Sequence, residues 1–170
     1  VLDINEFTPE FEKDEYSCKF QEDADDGTEC VTVVATDDDI DNELEFSIIG
    51  GGKDLFHVNS STGVVSVISS LDYETSTSHT IVIEASDGGE PVRAATVEVI
   101  ITVTDVNDHD PAFDKDTYAK TLDEDAEVGT DTVVATISAT DEDSDDITTL
   151  TYSISELMDS KICLRLMEPW

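Results

Sequence analysis

Over residues 93–104 apolar and polar positions alternate, with Val97, Val99, Ile101 and Val103 on one face and Glu98, Thr102 and Thr104 on the other. This period of two is the mark of a half-buried strand. Further β-rich runs fall at 16–20, 30–36, 44–49, 55–58, 64–68 and 79–86, separated by Gly, Asn, Asp and Ser. Seven strands bounded by turn signals predict an all-β fold, a seven-stranded Greek-key sandwich. The Cys…Trp…Cys spacing of a true immunoglobulin domain is absent.

The pattern then repeats. "DINEFTPEF" at 3–11 recurs as "DVNDHDPAF" at 105–113, an offset of 102 that also pairs Tyr16 with Tyr118 and Glu22 with Glu124. "VVATDDD" at 33–39 returns as "ISATDED" at 137–143, an offset of 104. A unit of about a hundred residues has the size of a small β domain and not of a helical repeat. The second copy opens with "TYAKT", "TVVATISA" and "TLTYSI", but from Glu156 "ELMDSKICLRLMEPW" has no counterpart of "FHVNSSTGVVSV" or "SHTIVIEASDGG". Three strands stand where seven are needed, so an incomplete second sandwich is expected, without independent stability. The expected organisation is a preceding linker over 1–7, a complete repeat over 8–108, a partial repeat over 109–155 and a divergent tail over 156–170. A short helix is one reading of that tail, although its apolar residues are not cleanly periodic, and Glu156, Asp159, Lys161, Arg165 and Glu168 oppose membrane insertion.

Charge narrows the possible partners. With 42 acidic and 8 basic side chains in 170 residues, the net charge of −34 excludes nucleic acid and anionic membrane surfaces and points to divalent cations. The 38% of hydrophobic residues suffice for a core. No run approaches the roughly 18 apolar residues of a membrane span. Val1 opens on a loop-like segment with no signal peptide, so the chain reads as an internal piece of a longer parent. Cys18 and Cys30 fit a bridge worth about 3 kcal/mol in an oxidising compartment, with unpaired burial as the alternative, and Cys163 stands apart. Asn59-Ser60-Ser61 is a glycosylation acceptor pattern that acquires meaning only in a secreted chain.

The carboxylates gather at the predicted strand ends. Glu22, Asp72 and Glu74 of "LDYE", Asp105, Asp108, Asp141 and Asp143 converge on the boundary between the copies. Two carboxylates about 4 Å apart repel by several kcal/mol at an effective dielectric near 20, so such a set needs a counter-charge. Ca²⁺, which takes six to eight hard oxygen ligands, meets that need; zinc would ask for clustered His and Cys. A helical calcium loop starting at Asp37 fails, because Asn42 stands where Gly is needed and Ile48 where the bidentate Glu should be, and the copy from Asp141 fails at Tyr152. His57 and His79 have no nucleophile and carboxylate at defined spacing, paired Asp-Thr/Ser-Gly motifs are missing, and a repeated junction motif makes a poor glycosidase cleft. An enzyme is not expected.

At this point the residues resemble a family. "DVNDHDPAF" looks like the cadherin inter-repeat linker, "LDYE" its DRE-type motif, "ATDDD" and "ATDED" its DxD motif, and "EASDGGEP" its A-x-D-x-G stretch. The resemblance covers residues 1 to about 155, and the motif variants are of protocadherin and Fat-like type. It implies calcium ions at each junction of successive extracellular repeats. Carried over residue by residue, it assigns the junction after the first repeat to Glu22, Asp72, Glu74, Asp105, Asn107, Asp108, the carbonyls near Val106 and His109, and Asp141 and Asp143. A preceding junction would use Asp3, Asn5, Glu6, Asp37, Asp39, Asn42 and Asp87. Glu6 and His109 depart from the family's Asp and Asn, Ile147 stands where a ligand Asn is expected, and Glu124 lacks a partner set, which predicts a weakened outermost ion.

The function so implied is a calcium-rigidified adhesion module on the extracellular side of the plasma membrane, meeting other cadherin-type ectodomains homophilically or heterophilically. The strand-swapping mode, which needs a Trp near the amino terminus, is not supported, since the only Trp is Trp170. A secreted or truncated, non-adhesive calcium-binding β-sandwich fragment is the alternative.

Overall fold

The computed structural model describes residues 4–39, 43–119, 135–143, 150–158 and 161–167. The chain divides into two units, Val1–Val106 and Asn107–Trp170.

Unit 1 is a two-sheet sandwich. Strands β1 (Glu10–Phe11), β2 (Glu15–Gln21), β3 (Glu29–Thr32), β4 (Ala35–Thr36), β5 (Glu45–Gly50), β6 (Phe56–Val58), β7 (Val64–Val67), β8 (Ser78–Ser86) and β9 (Ala94–Thr104) follow in order. One sheet runs β2-β9-β8-β5 and the other β3-β7-β6, while β1 pairs with β4. β2 lies parallel to β9, with Glu15 opposite Glu98 and Gln21 opposite Thr104. The two strands therefore end side by side, which matters for the site below.

Alternation along each strand sends one set of side chains inward. Ile81, Ile83 and Ala85 of β8 and Val97, Val99, Ile101 and Val103 of β9 meet Phe56, Val58, Val65 and Val67 of the other sheet, all buried. Phe20 stacks on Phe56 with ring centroids 6.1 Å apart, and His79 meets Phe56 edge-on at 5.5 Å. His79 thus belongs to the packing of the core. Cys18 and Cys30 form a disulfide between β2 and β3, the edge strands of the two sheets, and so staple the sandwich along one side. The β6–β7 hairpin turns at Gly63, whose φ is +70° and whose missing Cβ would sit 2.2 Å from the Val33 carbonyl oxygen.

The run expected as one strand over 30–36 is divided. Val33 is buried and donates its N–H to the Gly63 carbonyl, while Val34 is held by the Tyr16 hydroxyl, which donates to its carbonyl and accepts from its N–H, both at 3.1 Å. The chain changes partner there, leaving β3 for β7 and taking β4 to β1. Two-residue strands are too short to declare themselves by alternation.

Unit 2 contains β10 (Ala112–Phe113), β11 (Ala139–Thr140), β12 (Thr151–Met158) and β13 (Lys161–Met167) among its described residues. β10 pairs with β11 in the register of β1 with β4: Phe113 faces Ala139 as Phe11 faces Ala35. The tyrosine clamp recurs as well. The Tyr118 hydroxyl donates to the Ser138 carbonyl at 2.9 Å and accepts from its N–H at 3.3 Å, and it also meets the Asp114 carboxylate. Lys13 lies over Tyr16 at 5.1 Å and Lys115 over Tyr118 at 5.5 Å. "TYAKT" forms no strand over its described part, 117–119.

The tail departs from the helix reading. β12 continues through Met158 and β13 returns antiparallel to it, with Tyr152 opposite Leu166 and Ile154 opposite Leu164. Ile162, Leu164 and Leu166 alternate with Lys161, Cys163 and Arg165, which is a strand period that the overlying charges obscure.

Candidate metal centre

Among the described residues three groups of acidic side chains stand out, two in unit 1 and one in unit 2. The first lies at the carboxyl ends of β2 and β9. Because those strands are parallel and in register, Glu22 and Asp105 leave them as neighbours, and Glu22 N–H donates to the Thr104 carbonyl at 3.1 Å. Glu22 is buried, yet both its oxygens are satisfied: Oε1 accepts from Val106 N–H and Oε2 from Tyr73 N–H, each at 2.7 Å. Asp72 accepts from the Thr75 N–H at 2.9 Å and from its hydroxyl at 2.8 Å, which folds "LDYET" into a turn. That turn brings one oxygen from each of Glu22, Asp72 and Glu74 within 4.8 Å of the others. Three like charges at that spacing repel by about 1 kcal/mol per pair in water, and about four times that at an effective dielectric of 20. The group is a donor set of hard oxygens, with Glu22 and Asp72 held in advance by backbone amides, the chemistry that suits Ca²⁺.

The second group lies where residues 5–7 meet the loops after β4 and β8. Asp39 accepts from Glu6 N–H at 3.2 Å and Phe7 N–H at 2.8 Å, and Asp37 Oδ1 accepts from Asp39 N–H at 2.8 Å. Asn5 is buried and donates from Nδ2 to Asp87 Oδ2 at 3.0 Å and to the Pro91 carbonyl at 2.6 Å. Asp87 is also buried. Burial alone would raise its pKa, but amide hydrogen bonds from Arg93 and Gly89, the Asn5 carboxamide and the Arg93 charge prevail and hold it below the ordinary 3.8. Gly89 is required here, since a Cβ would fall 2.2 Å from Asn5 Nδ2.

The third group repeats the second in unit 2. Asp143 Oδ2 accepts from His109 N–H at 3.1 Å, as Asp39 does from Phe7, and Asp141 Oδ1 accepts from Asp143 N–H at 3.2 Å, as Asp37 does from Asp39. The recurrence extends to what is left unsatisfied. Oδ2 of Asp37 and Oδ2 of Asp141 are both buried and meet no hydrogen-bond donor among the described residues. A buried carboxylate oxygen without a donor is costly, and a cation removes the cost. The residues present therefore fit calcium.

The His109 side chain is not the bystander that a carbonyl-only role implies. Its Nδ1 lies 2.7 Å from Asp108 Oδ1 and 3.2 Å from Asp143 Oδ1, and its Nε2 lies 3.5 Å from Glu142 Oε2. Asn107 and Asp108 are exposed, and Asp105 and Val106 are half-buried. Asp3 and Asn42, like Glu124 and Ile147, lie outside the described residues. Sequence reasoning missed Arg93, which donates from N–H to Asp87 Oδ1 at 2.8 Å and from Nε to the Asn5 carbonyl at 3.1 Å. Its signal was scarcity, since an arginine directly after an acidic motif stands out among 8 basic residues.

The cadherin domain family matches residues 16–104. The chain is 40% identical over 157 residues to human protocadherin Fat 1, covering 91% of this chain and 3% of that protein. It is 42% identical over 146 residues to the cadherin EGF LAG seven-pass G-type receptor fmi-1 of Caenorhabditis elegans, covering 84% of this chain and 6% of that one. The chain thus spans only a small part of these relatives. Among solved structures, mouse cadherin-23 EC22-24 is similar with a TM-score of 0.82 and 34% identity, over 96% of this chain and 55% of that one. The protocadherin gammaB7 EC3-6 cis-dimer is similar with a TM-score of 0.80 and 27% identity, over 94% and 40%.

Proposed function

The chain belongs to the cadherin family, and on that premise we propose that it is a calcium-binding extracellular module of a cell–cell adhesion protein, anchored to the plasma membrane through its parent chain. The observation that carries the calcium reading is the recurring aspartate hook: Asp37 in unit 1 and Asp141 in unit 2 each keep one buried oxygen with no donor among the described residues. An oxygen lacking a donor once could be an accident of packing; its recurrence in both copies among the described residues supports a ligand position.

In this reading Asp3, Asn5, Glu6, Asp37, Asp39, Asn42 and Asp87 hold calcium at one end of the first repeat. Glu22, Asp72, Glu74, Asp105 and Val106 offer donors at the other end of unit 1, and in unit 2 the linker residues Asn107, Asp108 and His109 and the hook of Asp141 and Asp143 offer theirs. The bound ion supplies the positive charge that these carboxylates lack. The protein's own part is to fix the donors beforehand. Tyr73 and Val106 amides hold Glu22, and the Glu6, Phe7 and His109 amides hold the second aspartate of each hook. In this reading calcium bound to these carboxylates restrains further the linker segments whose amides they already hold.

Adhesion follows from family membership, and several relatives are named as receptors or protocadherins. The partner class is another cadherin-type ectodomain, and the solved cis-dimer of protocadherin gammaB7 is one instance of such an assembly. Limited proteolysis tests the calcium reading: cleavage within 104–113 should be rapid in chelator and suppressed in calcium. Equal cleavage rates would remove it. For adhesion, cells displaying the parent chain should aggregate in calcium and disperse in chelator.

A further inference from the structure

The β6–β7 hairpin tip carries a modification motif that calcium binding does not use. Asn59, Ser60 and Ser61 follow β6 directly, and all three are exposed. The turn fixes the Asn59 side chain by one end only. Its Oδ1 accepts from the N–H groups of Ser61 and Thr62, both at 3.0 Å, which turns Nδ2 away from the backbone. Its backbone is committed as well, with N–H donating to the Val64 carbonyl at 2.8 Å and the carbonyl accepting from Gly63 at 2.9 Å. A substituent on Nδ2 therefore disturbs none of the hairpin's hydrogen bonds.

Two further observations place the chain where that motif is read. Cys18 and Cys30 are bridged, which requires an oxidising compartment. The family membership on which the extracellular reading rests requires the secretory route. We propose that Asn59 carries an N-linked glycan, an inference resting on that extracellular reading but independent of calcium. The donor is an oligosaccharide linked to a lipid diphosphate. A bond forms between Asn59 Nδ2 and the anomeric carbon, the bond from that carbon to the diphosphate oxygen breaks, the lipid diphosphate leaves with the electron pair, and Nδ2 loses one proton.

The test is secretion of residues 1–170 from a eukaryotic cell behind a cleavable signal, with intact mass measured before and after peptide N-glycosidase. A mass increment removed by the enzyme, with conversion of Asn59 to Asp, supports the inference. Ser61→Ala, which keeps the Asn59 turn and so keeps folding, abolishes the increment, and Ser61→Thr retains or raises occupancy. Secreted protein with the Cys18–Cys30 bond formed and no increment overturns the inference while leaving the calcium reading intact. An increment that survives in Ser61→Ala overturns it also, by placing the sugar elsewhere.

Discussion

The two units share a beginning and differ in what stands behind it. Each starts with a two-strand pairing, a tyrosine whose hydroxyl takes both backbone groups of one residue, and an aspartate hook on the linker amides. In unit 1 this assembly leans on the sandwich core. Among the described residues every buried hydrophobic side chain lies in unit 1, while the buried residues of unit 2 are Asp141 and Asp143. The hook and clamp are built from hydrogen bonds between segments close to the linker.

The comparison can be broken most forcefully at the core. Phe56→Ala removes a fully buried ring that Phe20 and His79 both touch and should cost unit 1 about 3–5 kcal/mol. In amide exchange, protection at Glu12 and Val33 should fall while that at Asp114 and Ser138 is kept. Equal loss in both units would show that the clamp of unit 2 depends on the core of unit 1. Replacing Cys18 and Cys30 together by serine should cost about 3 kcal/mol, read as a lower urea midpoint that reductant no longer changes.

A smaller effect sharpens the difference between the clamps. Tyr16→Phe, at a buried ring, leaves the Val34 N–H without its partner while the Val34 carbonyl keeps the Glu12 N–H, and should cost about 1–1.5 kcal/mol. Tyr118→Phe, at a half-buried ring, should cost less than about 1 kcal/mol. Parallel denaturant titrations of the two variants decide whether burial sets the value of the same hydrogen bonds.

Gly89→Ala acts at the second acidic group. Its new methyl displaces Asn5 from Asp87, for a loss of about 1 kcal/mol and weaker calcium binding by calorimetry. The Asp87 pKa is lowered on folding, so this carboxylate stabilises the fold at neutral pH, and the contribution disappears as pH falls through the lowered value. Asp87→Asn should therefore flatten the acid limb of the stability profile in chelator below the ordinary carboxylate range; an unchanged limb would assign acid sensitivity to other groups.

Much of unit 1 was legible because long alternation reports burial directly: the residues chosen on β9 are those that are buried. The acidic motifs were legible as candidate ligands because they repeat in order. What escaped had physical reasons. β1 and β4 are too short for any period, and the break at Val33 and Val34 is imposed by a tyrosine hydroxyl from β2. The β12–β13 hairpin was hidden because Lys161 and Arg165 read as charge and not as one half of a period-two alternation. Gly89 and Arg93 support the site through a missing side chain and a backbone amide, neither of which a search for ligand oxygens detects.

The central claim is that the acidic groups are calcium sites, and thermal melting of the 170-residue chain across a calcium series tests it most directly, with chelator and equimolar magnesium as references. Extracellular modules bind calcium at about 10⁻⁴–10⁻³ M, so the melting temperature should rise through the millimolar range, by about 1.4 kcal/mol per site at ten times the dissociation constant. Magnesium should do markedly less. A melting temperature that ignores calcium, or that follows magnesium equally, would mean that these carboxylates only answer to screening, and would contradict the account.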